Sequence, residues 1–342
     1  MKIKKKIFIN LLDLIGLLYP INIYRGKKVS EKINAKDNCT YIVCSYGIGD
    51  TVWMLSFAKN YIDLHGIVSY KFICLKRDAA LIHAYFPKAE CIHVRRKEIS
   101  LLGVYASVNK EKYISFMYPR IKSRKETLNE LDLFSSLAID MDVFYKYGCF
   151  DLDYNMPFLS PDLLFCEEEA YDIIDKKCIP QSKSVLLIPD VHSRIHIPCE
   201  FWRDISYELF KMGYKVYTNT SNVNEKGIGG TEPLYTSLEV LPLIAGHMGC
   251  VISGRCGLCD WLFVNECNLI VLHSYKSETK TRQEKQMSDF GRKETLLGTK
   301  DRCGLNNTVF EVRVNTNDSI IQHSEIFRYV KKIFELKQKN HE

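Results

Sequence analysis

Apolar and polar positions fall into two successive regular series along this chain. The first opens at Tyr41: "TYIVCS" is an apolar run of buried-strand type, followed by the glycine turn "YGIGD". "DTVWMLSFAKNYIDLHG" then has apolar residues at helical spacing and stops at Gly66. "YKFICL" predicts a second strand, "RDAALIHAYFP" a short helix stopped at Pro87, and "ECIHVR" a third strand. "EKYISFMYP" reads as another strand, and "KETLNELDLFSSLAIDMDVFYKYG" has helical periodicity. Such alternation implies parallel pairing with right-handed crossovers.

Composition shifts between about residues 156 and 184, where "PFLSPDLLF" and "CIPQSKS" flank the acidic helical piece "CEEEAYDIIDKK". The second series follows. "SVLLIP", "YKVYTNT", "CVISG" and "NLIVLHS" read as strands. "CEFWRDISYELFKMG", "TSLEVLPLIAGHMG" (despite Pro242) and "GLCDWLFVNE" read as helices between them. Residues 276–305 are polar and predict a loop, and "NDSIIQHSEIFRYVKKIFELKQ" predicts a closing helix capped by Asn317 or Asp318. The expected architecture is α/β: two Rossmann-like domains, residues 26–165 and 183–315, facing each other across a cleft. An amphipathic stretch, 1–25, precedes them and a helix, 316–338, closes the chain.

Composition narrows the function. At 342 residues, 46% hydrophobic and 26% charged, the chain has room for two cores of ordinary character. The net charge of +6 is modest, and neither zinc-finger spacing nor an RNA-binding signature is present, so no nucleic acid partner is expected. The opening "MKIKKKIFINLLDLIGLLYP" is basic and then apolar, but Asn10 and Asp13 interrupt it and no small-x-small cleavage site follows. It is short and polar for a membrane span. Two readings stand: an interfacial anchor on the inner leaflet, or a helix packed on the protein. The thirteen cysteines are scattered, and several (Cys44, Cys74, Cys250) sit in apolar runs as buried thiols suited to a reducing cytosol. Cys250, Cys256, Cys259 and Cys267 lie close together and include one C-x-x-C, but their spacing matches no standard zinc pattern.

Open α/β sheets bind ligands at the carboxyl ends of their strands, and two loops stand there. In "GIGD", Gly47 and Gly49 precede Asp50, while Val52 occupies the place of the third glycine of a dinucleotide fingerprint. Asp50 falls at or near a helix N-terminus. It serves there either as a cap or as a general base kept charged by the helix dipole. In "SGRCG", Gly254 and Gly257 permit close backbone approach to a ligand, and the N–H groups of the next helix face a diphosphate. Arg255 adds positive charge. The plain alternatives are an interdomain or surface ion pair for Arg255 and a first-turn carboxylate complementing the helix dipole for Asp260.

The layout resembles the GT-B glycosyltransferases, in particular the heptosyltransferase-like glycosyltransferase family 9. The resemblance runs through most of residues 40–275. It rests on "YIVCSYGIGDTVWM", on "LLIPDVHSRIHIPCEFWRDISYEL" with Pro189, Pro198 and Trp202, and on "TSLEVLPLIAGHMGCVISGRCGLCDWLF". It implies an N-terminal acceptor-binding domain and a C-terminal nucleotide-sugar-binding domain, with Asp50 as the base. It also implies a diphosphate site at Ser253, Gly254, Arg255, Cys256 and Gly257, bordered by a helix beginning at Thr236 and Ser237. Pro189, His192, Arg194, His196 and Asp260, with Gly47 and Gly49, are expected to line the cleft. The chain departs from the pattern where the family usually reads Asp-Ser-Gly and then a histidine: here stand Arg255, Cys256, Gly257 and Asp260. Ile195 occupies an expected basic position, flanked by Arg194 and His196.

Two Asp-x-Asp pairs, Asp140 with Asp142 and Asp151 with Asp153, read as solvated carboxylates and not as a metal site. No metal or cofactor is expected, the nucleotide-sugar being a substrate. No Gly-x-Ser-x-Gly, Walker loop or His-Glu-x-x-His is present to suggest a hydrolase or kinase. The resulting expectation is an inverting, metal-independent transfer of a sugar to a surface glycan: lipopolysaccharide, capsule or lipid-linked saccharide. The protein is expected in the cytoplasm or peripherally on the inner membrane face. Two alternatives remain: a catalytically degenerate GT-B scaffold or sugar-nucleotide-binding protein, and a sugar-nucleotide epimerase.

Overall fold

A computed structural model of the chain describes residues 18–36, 38–44, 47–109, 111–115, 141–143, 145–146, 150, 152–153, 155–190, 196–275, 296–316 and 323–339. Internal packing divides the chain into two units. One is Met1–Leu137 with Val143–Leu159, the other Ala138–Asp142 with Ser160–Glu342.

The first unit holds a parallel sheet of four short strands: β1 (Thr40–Val43), β2 (Tyr70–Cys74), β3 (Cys91–His93) and β4 (Tyr113–Ser115). Their order is β3-β2-β1-β4. Its helices are α1 (Leu18–Lys32), α2 (Ile48–Leu64), α3 (Ala79–Tyr85) and α4 (Arg96–Ala106). In α2 every residue from Thr51 to Ala58 is buried, as befits a helix covered on all sides. The buried Ser56 hydroxyl donates to the Val52 carbonyl at 3.0 Å. Residues 155–159 run along α2: Leu159 N–H donates to the Ser56 carbonyl at 3.1 Å, and Phe158 meets Trp53 and Phe57 edge-on.

Sequence reading passed over α4, yet Ile99, Leu102 and Ala106 give it a buried stripe. Glu98 accepts from the Arg95 N–H at 2.9 Å and ties down its first turn. Helix α1 packs on α4 through Gly26, where an added Cβ would stand 2.4 Å from the Leu101 carbonyl oxygen. Tyr19 to Ser107 (2.8 Å) and Lys32 to Glu98 (2.6 Å) hold the same pair of helices. The basic residues 1–17 lie outside the described residues. No described helix is long and apolar enough to cross a membrane.

The second unit holds β5 (Ser184–Ile188), β6 (Lys215–Asn219), β7 (Glu232–Leu234), β8 (Gly249–Gly254), β9 (Leu269–Tyr275) and β10 (Val309–Asn315). All pair in parallel, in the order β10-β9-β8-β5-β6-β7. Counted from β5 this is the doubly wound order 3-2-1-4-5-6, with its switch point between β5 and β8. The helices are α5 (Glu167–Lys176), α6 (Cys199–Lys211), α7 (Leu241–Met248), α8 (Gly257–Val264), α9 (Leu297–Cys303) and α10 (His323–Lys339). Trp202 of α6 and the buried face of α10 close one side of the core.

Several expectations are corrected here. Residues 297–303 form α9 and not part of a loop. Strands β7 and β10 are the two edges of this sheet and were not foreseen: β7 has three residues and contains Pro233, which an edge tolerates. Helix α7 starts at Leu241 with Pro242 in its first turn, where a missing N–H costs nothing. Thr236 and Ser237 therefore stand in the preceding loop and do not begin the helix. Asp142 is not solvated. It is buried and takes a two-pronged hydrogen bond from Arg302 (2.9 and 2.8 Å) and a third from Thr299 at 3.3 Å. Its neighbour Asp140 lies outside the described residues, as do Asp151 and the proposed caps Asn317 and Asp318; Asp153 is exposed.

Candidate functional site

Each candidate loop leaves a strand beside its own sheet's switch point. In the first unit β1 runs between β2 and β4, and the chain turns from β1 through Gly47 into α2. The helix N-cap is Gly47, which brings no capping side chain. Asp50 is the third helical residue and not the cap itself. It is exposed, whereas Gly49 and Thr51 on either side are buried. Its carboxylate lies back over Gly47: a Cβ on that residue would stand 2.6 Å from Asp50 Oδ2. Glycine at 47 thus leaves room for the carboxylate. Tyr145 donates its hydroxyl to Asp50 Oδ1 at 2.9 Å. This buried tyrosine was not singled out from the sequence. It lies 95 residues away, in a stretch that offers only helical periodicity as a signal.

In the second unit the loops after β5 and β8 are neighbours, since Ile188 pairs with Ser253. Pro189 is buried immediately beyond that pair, while His196 is exposed further along; His192 and Arg194 lie outside the described residues. After β8, the Arg255 N–H donates to the Leu272 carbonyl of β9 at 2.9 Å, which holds the loop to the sheet for one more residue. Cys256 is the N-cap of α8 and Gly257 its first residue.

Arg255 and Asp260 are both 3% exposed and form a bidentate ion pair, Nη1 to Oδ2 at 2.9 Å and Nη2 to Oδ1 at 2.8 Å. Arg255 Nη1 also donates to the Cys256 carbonyl at 3.0 Å. This arginine therefore braces the loop from inside, with its charge matched by Asp260. Ser253 is fully buried and donates to the Gly254 carbonyl at 2.9 Å. The loop carrying Thr236 and Ser237 is joined to α8, because Trp261 Nε1 donates to the Leu238 carbonyl at 2.6 Å. Among the described residues the Ser237 hydroxyl oxygen is buried with no hydrogen-bond partner.

Among the described residues no three His, Cys, Asp or Glu side chains are arranged to hold an ion. Cys250 and Cys267 are enclosed in the core, where burial pushes both thiols up, Cys267 to about 12.

No family model and no curated protein matches the chain. Solved structures do. The ADP-heptose lipopolysaccharide heptosyltransferase II of E. coli superposes with a TM-score of 0.57 at 14% identity, over 88% of this chain and 99% of that one. A glycosyltransferase family 9 protein of Veillonella parvula gives 0.50 at 11% identity, over 88% and 98%. The chain shares the GT-B fold of these glycosyltransferases across nearly their whole length.

Proposed function

We propose that the chain is a glycosyltransferase that moves a sugar from a nucleotide-sugar donor to a surface-glycan acceptor, with inversion at the anomeric carbon and without a metal. The observation that carries this reading is Asp50: an exposed carboxylate at the mouth of β1, followed directly by the buried run Thr51 to Ala58 and oriented by Tyr145. A carboxylate so placed takes the proton of an acceptor hydroxyl while that oxygen attacks the sugar. The bond to the diphosphate breaks and the nucleoside diphosphate leaves with the electron pair. In the second unit, N–H groups at the start of α8 and the unpartnered Ser237 hydroxyl suit the growing negative charge, which is why no metal is needed. Arg255 acts chiefly by holding that loop. The first unit takes the acceptor and the second the donor. The solved heptosyltransferase named for ADP-heptose and lipopolysaccharide supports an acceptor of lipopolysaccharide, capsule or lipid-linked type. That acceptor would place the protein in the cytoplasm, at the inner membrane face.

A scaffold reading also has an observation in its favour, the neutralisation of Arg255 by Asp260. The deciding experiment is a thermal-shift panel of nucleoside diphosphates and nucleotide-sugars in the absence of metal. One nucleotide should raise the melting temperature, by the equivalent of about 2.7 kcal/mol at a hundredfold excess over Kd. Ser237→Ala should weaken that shift. Asp50→Asn should keep it while losing transfer by roughly 100- to 10,000-fold. A folded wild type that responds to no nucleotide would leave the scaffold reading standing.

A further inference from the structure

Cys256 and Cys259 form a C-x-x-C run at the start of α8. Cys256, the N-cap, has extended backbone (φ −152°, ψ 173°). The Cys259 N–H donates to its carbonyl at 3.0 Å and closes the first turn. Both sulfurs converge on one hydroxyl: Cys259 Sγ donates to Ser253 Oγ at 3.1 Å, and Cys256 Sγ lies 3.9 Å from the same oxygen. Their exposures differ. Cys256 is partly exposed, whereas Cys259 is fully buried and also reaches the Gly254 carbonyl at 3.1 Å.

Among the described residues the charged group acting on the pair is Arg255, itself paired with Asp260. The Cys256 thiol is drawn below the ordinary range by its neighbour Cys259, by the N–H groups of Cys259 and Leu258 and by the charge of Arg255, against the opposing effect of burial. Cys259 moves the other way, through burial and through its bond to Cys256. One thiol is thus favoured as a thiolate, partly exposed at the helix start, and the other stays protonated behind it. That is the division of roles in dithiol exchange, where one sulfur attacks and the second resolves.

We propose that Cys256 and Cys259 are a reactive dithiol site whose substrates are low-molecular-weight disulfides of the glutathione type. The Cys256 thiolate attacks one sulfur of the disulfide, forms a mixed disulfide and expels one thiolate. Cys259 then passes its proton to the expelled thiolate and attacks Cys256 Sγ, which closes the Cys256–Cys259 bond and releases the second thiolate, protonated from solvent. The protein dithiol is oxidised by two electrons, and the small disulfide is reduced to two thiols. Because Cys256 is the N-cap of α8, closing this bond alters the loop that the donor would occupy. This consequence rests on the proposed donor site; the chemistry of the pair does not.

The test uses the full-length reduced protein, oxidised glutathione as the probe, and peptide mapping by mass spectrometry. Cys256 and Cys259 should together lose two hydrogens, reversibly with dithiothreitol. Cys259→Ser should accumulate glutathione on Cys256. The exposed thiols Cys178 and Cys199 are controls within the same chain. Alkylation at pH 6 should be about tenfold faster at Cys256 than at the controls. Labelling no faster than at Cys178 and Cys199, or a Cys259→Ser protein unmodified at Cys256, would overturn the proposal. The nucleotide-induced melting shift is then compared in the reduced and oxidised proteins, and oxidation should diminish it. Equal shifts would overturn the coupling to the donor loop. A reduced protein that shows no shift would count against the donor site and leave a mapped disulfide intact.

Discussion

Asp50 owes its position to two residues that make no chemistry themselves. Gly47 leaves the space its carboxylate occupies, and Tyr145 fixes the rotation of that carboxylate through Oδ1. Gly47→Ala should therefore lower kcat by up to about 100-fold, the effect of displacing a reacting group by about 1 Å. Tyr145→Phe removes one hydrogen bond to a charged group, on the order of 2 kcal/mol, and should cost roughly tenfold or more in kcat. Melting temperatures and steady-state transfer rates for the two variants check both. A stable Gly47→Ala enzyme with unchanged kcat would argue that the carboxylate is only part of the helix start. Asp50 and Gly47 were both legible in the sequence, because a glycine turn after an apolar strand has few other uses. Tyr145 was not, because a contact spanning 95 residues leaves no local pattern.

At the scale of elements, the start of α8 is organised by a buried charge pair. Arg255 and Asp260 were singled out separately, one for the ligand and one for the helix dipole. The fold joins them across five positions, with hydrogen bonds of 2.9 and 2.8 Å. Asp260→Asn leaves the guanidinium buried without its counter-charge and should destabilise by about 3–5 kcal/mol in chemical denaturation. Replacing both, Arg255→Met with Asp260→Leu, should recover most of that loss, since no charge is then stranded. A single substitution costing under about 1 kcal/mol would show that water reaches the pair. The helices and strands read correctly were those with long apolar runs or clear stops, such as α2, α6 and β5. Those missed include two edge strands, β7 with Pro233 and β10, the short helix α9, and α4, whose buried stripe is only Ile99, Leu102 and Ala106. A central strand is apolar on both faces and shows itself in composition, whereas an edge strand is decided by what it pairs with.

For the molecule as a whole, Asp78 sets a pH dependence of stability. It follows β2, is fully buried, and has one oxygen, Oδ2, without a partner. Burial raises its carboxyl to about 6, only partly offset by Arg77, whose Nε lies 3.2 Å from Oδ1. A raised carboxyl means that the folded state holds its proton more tightly than the unfolded chain. This contribution is complete below about pH 4 and is lost as pH rises through about 6. Asp78→Asn cancels the dependence. Between pH 4 and pH 7 the wild type should lose up to about 3 kcal/mol relative to the variant. Melting curves of both proteins across that range measure the difference, and parallel curves would mean that the carboxylate is solvated.

The alternation of apolar strands with amphipathic or buried helices was enough to establish two parallel α/β units and to point at the loops after β1 and β8. Both follow from local chemistry: hydrophobic periodicity states which segments must be covered, and glycine states where the chain must turn sharply. Which side chains meet in those loops was settled by folding alone. Tyr145 reaches Asp50 across 95 residues, and, away from those loops, the Asp142–Arg302 pair spans 160. Their partners are brought close by strand order and helix packing, and nothing in the local sequence marks the distance between them.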